Sequence, residues 1–222
     1  MTSHEIIKRY IDNLQYSHSL VLIGSAGLGK TEVVFSSLKS SGYTEKVHFK
    51  YLANYISPKG FVELLKEINE LKPPRILILD DIETTLKNPL IVSLLKGCLW
   101  EADGKRRVIW KTNRESIEFE FLGKIIIILN YLSLENPQIV SLVDRCSHFE
   151  IKLTKEEITQ LLLIRAKRPF ANIPLNKREE IAKFVIRNGY NSKKFSLRIL
   201  PKAYHYFLGS PNHWQELLFR TL

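Results

Sequence analysis

The segment Ser19-Leu-Val-Leu-Ile-Gly-Ser-Ala-Gly-Leu-Gly-Lys-Thr31 joins an apolar, β-branched run to a glycine-rich turn that ends in lysine and threonine. Residues of these types at this spacing bind phosphate. Gly24, Gly27 and Gly29 admit backbone dihedrals that other residues resist. Successive amides of Gly24, Ser25, Ala26, Gly27, Leu28, Gly29 and Lys30 can therefore turn toward phosphate oxygens, as can the N-terminus of a helix expected over Thr31 to Lys39. Lys30 is expected to reach the β and γ phosphates, and the Thr31 hydroxyl to ligate magnesium. The G-x-x-x-x-G-K-T spacing, preceded by a strand and followed by a helix, predicts a nucleoside triphosphate and Mg2+ as ligands. A second stretch, Ile76-Leu-Ile-Leu-Asp-Asp-Ile-Glu83, is a hydrophobic strand that ends in acids. Asp80 is expected on the metal side at the strand's carboxyl end. Asp81 is the candidate that polarises an attacking water, with Glu83 as the alternative.

These residues need a scaffold, and the chain supplies an α/β pattern. Five short apolar runs read as buried parallel strands: Leu20 to Ile23, Val47 to Leu52, Arg75 to Leu79, Lys124 to Leu129 and His148 to Leu153. Helical patterns cover Met1 to Gln15 and lie between the strands at Gly60 to Leu71, Pro89 to Trp100 and Pro137 to Asp144. The expected fold is thus a P-loop NTPase core, with a five-stranded parallel sheet flanked by helices. The irregular stretch 101–121 alternates in both halves, which predicts a β-hairpin insertion. Its Lys105, Arg106, Arg107, Lys111 and Arg114 could meet nucleic-acid phosphates, and Trp110 could stack on a base. A protective charged edge is the plainer reading of the same residues. After residue 153 the strand pattern stops, and Thr154-Lys-Glu-Glu157 carries a capping-box signature. The expected domains are a nucleotide-binding core over 1–153 and a small all-helical lid over 154–222. The lid helices are placed at Lys155 to Lys167, Asn176 to Asn188, Ser196 to Leu208 and Asn212 to Arg220.

The 222 residues carry a net charge of +10, concentrated in one place. Arg165 through Lys202 holds eleven Lys or Arg against two acids. Such a face suits a polyanion, nucleic acid above all, although a solvated helix surface has the same composition. Cys98 and Cys146 match no zinc spacing and are too few for a disulfide framework, so a reducing, cytoplasmic setting is expected. No run approaches the ~18 apolar residues of a membrane span.

At this point the chain resembles the AAA+ ATPases over nearly its whole length, and the local likeness is to clamp-loader subunits. Their sensor 1 strand ends in Asn-Tyr and leads through a Pro-containing helix into Ser-Arg-Cys. This sequence has Ile128-Leu-Asn-Tyr131, then Pro137-Gln-Ile-Val-Ser-Leu-Val and Asp144-Arg-Cys146. The resemblance implies that Asn130 is sensor 1, orienting the water, with Asn113 after Trp110-Lys-Thr as a competing candidate. It implies that Arg145 is an arginine finger acting on a neighbouring subunit. Phe195-Ser-Leu-Arg-Ile-Leu200 is similar to the start of the family's sensor 2 helix, which makes Arg198 the lid residue at the γ phosphate. The insertion resembles the pre-sensor 1 hairpin of helicase and initiator branches. Tyr55-Ile-Ser-Pro-Lys-Gly-Phe61 stands where the family places a channel loop, with Lys59 and Phe61 toward a threaded polymer. What this implies is a ring or spiral homo-oligomer, a hexamer, hydrolysing ATP in a DNA-associated process such as replication initiation or helicase loading. A protein-remodelling or partner-loading ATPase is the alternative.

Overall fold

Ile125, Ile126, Ile127 and Ile128 are fully buried. They belong to the middle strand of a five-stranded parallel sheet of order β2-β3-β6-β1-β7. Its strands are β1 (Ser19–Ile23), β2 (Phe49–Ala53), β3 (Ile76–Asp80), β6 (Lys124–Leu129) and β7 (Ser147–Glu150). A strand with both faces covered has no polar face to alternate, hence the continuous apolar runs. Val21, Leu77, Leu79, Ile125, Ile127 and Leu129 join one core cluster, while the residues between them are buried toward the other face. Burying each such side chain contributes about 1.5–3 kcal/mol against about 0.5–1.5 kcal/mol for a ladder hydrogen bond, so packing dominates in holding β3 beside β6.

This computed structural model describes residues 3–131 and 136–221. The first two residues of the expected N-terminal helix lie outside that set. The chain divides into two units, one of Ser3–Ser25 with Lys30–Ile151 and one of Ala26–Gly29 with Lys152–Leu222. In the first, α1 (Ser3–Asp12) and α2 (Lys30–Ser40) pack together, and α3 (Pro58–Glu70), α4 (Pro89–Leu99) and α5 (Pro137–Val143) cover the cluster described above. The last three open alike. Proline occupies the first turn, where its missing N–H is no loss, and Ser57, Asn88 or Asn136 accepts a hydrogen bond from a first-turn amide.

Two strands differ from their expected limits by more than one residue. β2 begins at Phe49 because residues 44–48 form a turn, in which His48 N donates to Thr44 O at 2.8 Å and Lys46 takes φ +66°. β7 stops at Glu150, paired with Ile23 at the end of β1, and the chain leaves the sheet after Ile151. The insertion is a hairpin of β4 (Arg107–Lys111) and β5 (Ser116–Glu120). Its alternation has a physical sense: Val108, Trp110, Ile117 and Phe119 pack on the core, leaving Arg107, Ile109, Lys111, Ser116, Glu118 and Glu120 exposed. The base-stacking expectation for Trp110 is therefore corrected.

The second unit contains α6 (Lys155–Ala166), α7 (Leu175–Gly189), α8 (Ile199–Gly209) and α9 (Trp214–Phe219). The capping box opens α6, with Glu157 N donating to Thr154 Oγ1 at 3.2 Å and Thr154 N donating to Glu157 Oε2 at 2.8 Å. Arg178 is buried and donates to the carbonyls of Ala166 (3.0 Å) and Ile173 (2.5 Å), so it leaves the basic surface and serves the interior. Among the described residues, no helix is long and apolar enough to cross a membrane.

Candidate nucleotide and magnesium site

The carboxyl ends of β1, β3 and β6 bring five of the expected side chains together in the first unit. Lys30 opens α2, is buried, and donates from Nζ to Gly24 O (2.6 Å), Ser25 O (3.1 Å) and Asn130 Oδ1 (3.1 Å). Asn130 follows β6 directly, and its Nδ2 donates to Asp81 Oδ1 at 2.6 Å. One amide thus links the lysine to the acid. Asn113, the competing sensor 1 candidate, lies exposed in the hairpin turn.

Asp80 ends β3, is buried, and accepts from Thr31 Oγ1 at 2.6 Å on its Oδ2. A hydroxyl beside a carboxylate is a hard-oxygen pair, the donor chemistry that magnesium takes alongside nucleotide phosphates. Asp81 occupies the left-handed region at φ +51°, which a non-glycine residue enters at a cost. That turn follows β3 immediately and accompanies the side-chain bond to Asn130. Glu83 has another partner, since its Oε1 accepts from Asn130 N at 2.7 Å. That bond ties Glu83 to the Asn130 backbone.

Tyr51 was not among the sequence candidates. Its hydroxyl donates to the same Asp80 Oδ2 at 3.1 Å. Burial, then the neighbouring Asp80 charge, raises its pKa to about 12, so at neutral pH it remains a donor. The signal lay in the strand register. Ala53 on β2 pairs with Asp80 on β3, and Tyr51 shares a face with Ala53.

Within the second unit, Ala26–Gly29 meets the segment before α8. Gly27 takes φ +85°, its carbonyl accepts from Leu197 N at 3.0 Å, and a Cβ there would lie 2.9 Å from Ser196 Oγ and 3.5 Å from Arg198 Cγ. A side chain there would crowd Ser196 and strain the left-handed backbone. Gly29 is also left-handed, at φ +79°. Arg198 is exposed and caps α8, which starts at Ile199, later than the expected Ser196.

Arg145 follows α5. Its guanidinium lies over the Trp100 ring at 5.3 Å and donates to the Ser141 carbonyl and hydroxyl. Its Nε is buried and has no hydrogen-bond partner among the described residues.

The nucleic-acid candidates separate. Lys105, Arg107, Lys111 and Arg114 are exposed, and Lys59 reaches Glu115 of the hairpin turn at 3.3 Å, so two sites distant in sequence meet. Arg106 is a correction. It is buried, donates to Cys98 O (3.2 Å) and Gly123 O (2.7 Å), and lies 5.4 Å from the Phe121 ring centre. It fastens the hairpin base to the core, and burial lowers its pKa. Phe61 is likewise corrected, being a core residue of α3 that is 1% exposed.

Comparison with known proteins accords with this geometry. No family model matches the chain. An uncharacterized 36.7 kDa protein from the nrdC-mobD intergenic region of Enterobacteria phage T4 is 28% identical over 156 residues, 63% of this chain and 47% of that protein. The chain therefore spans about half the length of this curated relative. Solved structures of Thermotoga maritima RuvB are similar in fold. One point mutant superposes with TM-score 0.58 at 15% identity, covering 100% of this chain and 71% of that one. The form described as a Holliday junction branch migration motor gives 0.54 at 14%, covering 100% and 70%. The fold is that of a P-loop NTPase. More particularly, over the whole chain it is similar in fold to RuvB.

Proposed function

We propose that the chain is a magnesium-dependent AAA+ ATPase that assembles as a ring or spiral, a hexamer, and drives a DNA-associated process. The observation that carries the ATPase reading is the continuous set Lys30–Asn130–Asp81 beside Thr31–Asp80. Thr31 and Asp80 are the residues that would hold Mg2+, which when bound supplies charge neutralisation on the phosphates. The backbone of residues 24–30 binds the phosphates and Lys30 stabilises charge on the γ phosphoryl group. Asn130 and Asp81 orient water for in-line attack. Its oxygen bonds to the γ phosphorus as the bond to the β–γ bridging oxygen breaks, and a water proton passes to the Asp81 carboxylate. Arg145 is assigned to a neighbouring subunit's site, and Arg198, whose stem adjoins Gly27, to the γ phosphate.

The DNA reading is supported by eight exposed bases between Lys167 and Lys202, by the exposed hairpin bases beside Lys59, and by a RuvB neighbour described as a branch migration motor. The phage relative accords with service to a virus or mobile element. The test is ATP turnover with and without single-stranded and duplex DNA. Stimulation of tenfold or more, weakening steeply with salt, is the expected result. Turnover indifferent to either DNA would favour the protein-remodelling alternative.

A further inference from the structure

We infer that Tyr51 is a positioning residue for the magnesium side of the site, a role that rests on the ATPase reading. Asp80 Oδ2 receives two hydroxyl donors from different elements, Thr31 on α2 and Tyr51 on β2. Two donors on one oxygen fix the rotation of the carboxylate and so decide which lone pairs face a cation. A hydroxyl placed as that of Tyr51 is, on a ligating carboxylate, sets metal affinity without touching the metal. The Tyr51 ring is itself located. Its centre lies 5.2 Å from that of Phe35 at an interplanar angle of 67°, an edge-to-face contact. Phe35 stands four residues after Thr31, so both project from one side of α2. A single helix face therefore supplies one donor directly and holds the other in place through a ring contact.

The test uses the full chain, a fluorescent ATP analogue, and Mn2+ followed by electron paramagnetic resonance as a spectroscopic stand-in for Mg2+. Tyr51→Phe keeps the ring and removes only the hydroxyl. The half-saturating Mg2+ concentration and the Mn2+ dissociation constant are expected to rise about tenfold, with analogue affinity in EDTA changing less than about twofold. Phe35→Leu, which retains the hydroxyl and loosens its support, is expected to move both in the same direction by less. Metal dependence of Tyr51→Phe equal to wild type overturns the inference alone, as does an equal loss of metal-free affinity, which would mark Tyr51 as merely structural. Failure of the wild type to bind the analogue at all overturns the ATPase reading with it.

Discussion

At the scale of single residues, the site is a set of shared hydrogen bonds. Asn130 accepts from Lys30 and donates to Asp81, while its own amide is held by Glu83. Asp81→Asn is a clean probe, because asparagine tolerates the left-handed backbone that Asp81 adopts and retains an acceptor for Asn130. It is expected to leave ATP binding near wild type and to lower turnover by about 10²–10⁴-fold, measured as nucleotide affinity beside steady-state phosphate release. The residues legible in sequence were those whose role follows from local spacing. Lys30, Thr31 and Asp80 are of this kind, since the loop and strand that carry them are themselves sequence patterns. Tyr51, Trp100 and Ser141 were not, because their partners come from other elements. Arg106, Phe61 and Trp110 misled for the same reason. A basic or aromatic residue beside a turn looks available until distant carbonyls or a core close over it.

Elements explain how such residues are held. The hairpin lies close against α4, where a Cβ on Gly97 would come within 2.6 Å of Arg107 O. Gly97→Ala favours the isolated helix, yet it is expected to destabilise the protein by about 1–3 kcal/mol through overpacking, measured by denaturant titration. A gain in stability would show that the contact is slack. The connector into β1 offers a pH probe. His18 pairs with Glu101 at 3.5 Å, but burial first, and then the Arg106 and Lys124 charges, lower its pKa from 6.5. A depressed folded pKa means that the unfolded chain binds the proton more readily. Stability is therefore full above pH 6.5 and falls as pH drops through the lowered value. The loss of melting temperature between pH 7 and pH 5 is expected to be smaller in His18→Gln than in wild type, and equal losses would remove His18 as its source. Element types were readable because buried strands and capped helices have strong periodic signatures. The ends of β2 and β7 were less so, because a left-handed Lys46 and the end of a ladder depend on neighbours.

For the whole molecule, the proposed function makes the residues around Gly24–Thr31 one half of a shared site, with Arg145 supplied from the next subunit. Within its own chain the Arg145 guanidinium is engaged by Trp100 and Ser141. Arg145→Ala is expected to bind ATP near wild type while losing about 10³-fold or more in turnover. The most direct measurement is turnover by an equimolar mixture of Asp81→Asn and Arg145→Ala. Each variant alone is expected to be inactive. In mixed head-to-tail assemblies about one interface in four joins an intact Asp81 to an intact Arg145, so the mixture should recover about a quarter of wild-type turnover. A mixture no more active than its two components would contradict a site completed between subunits.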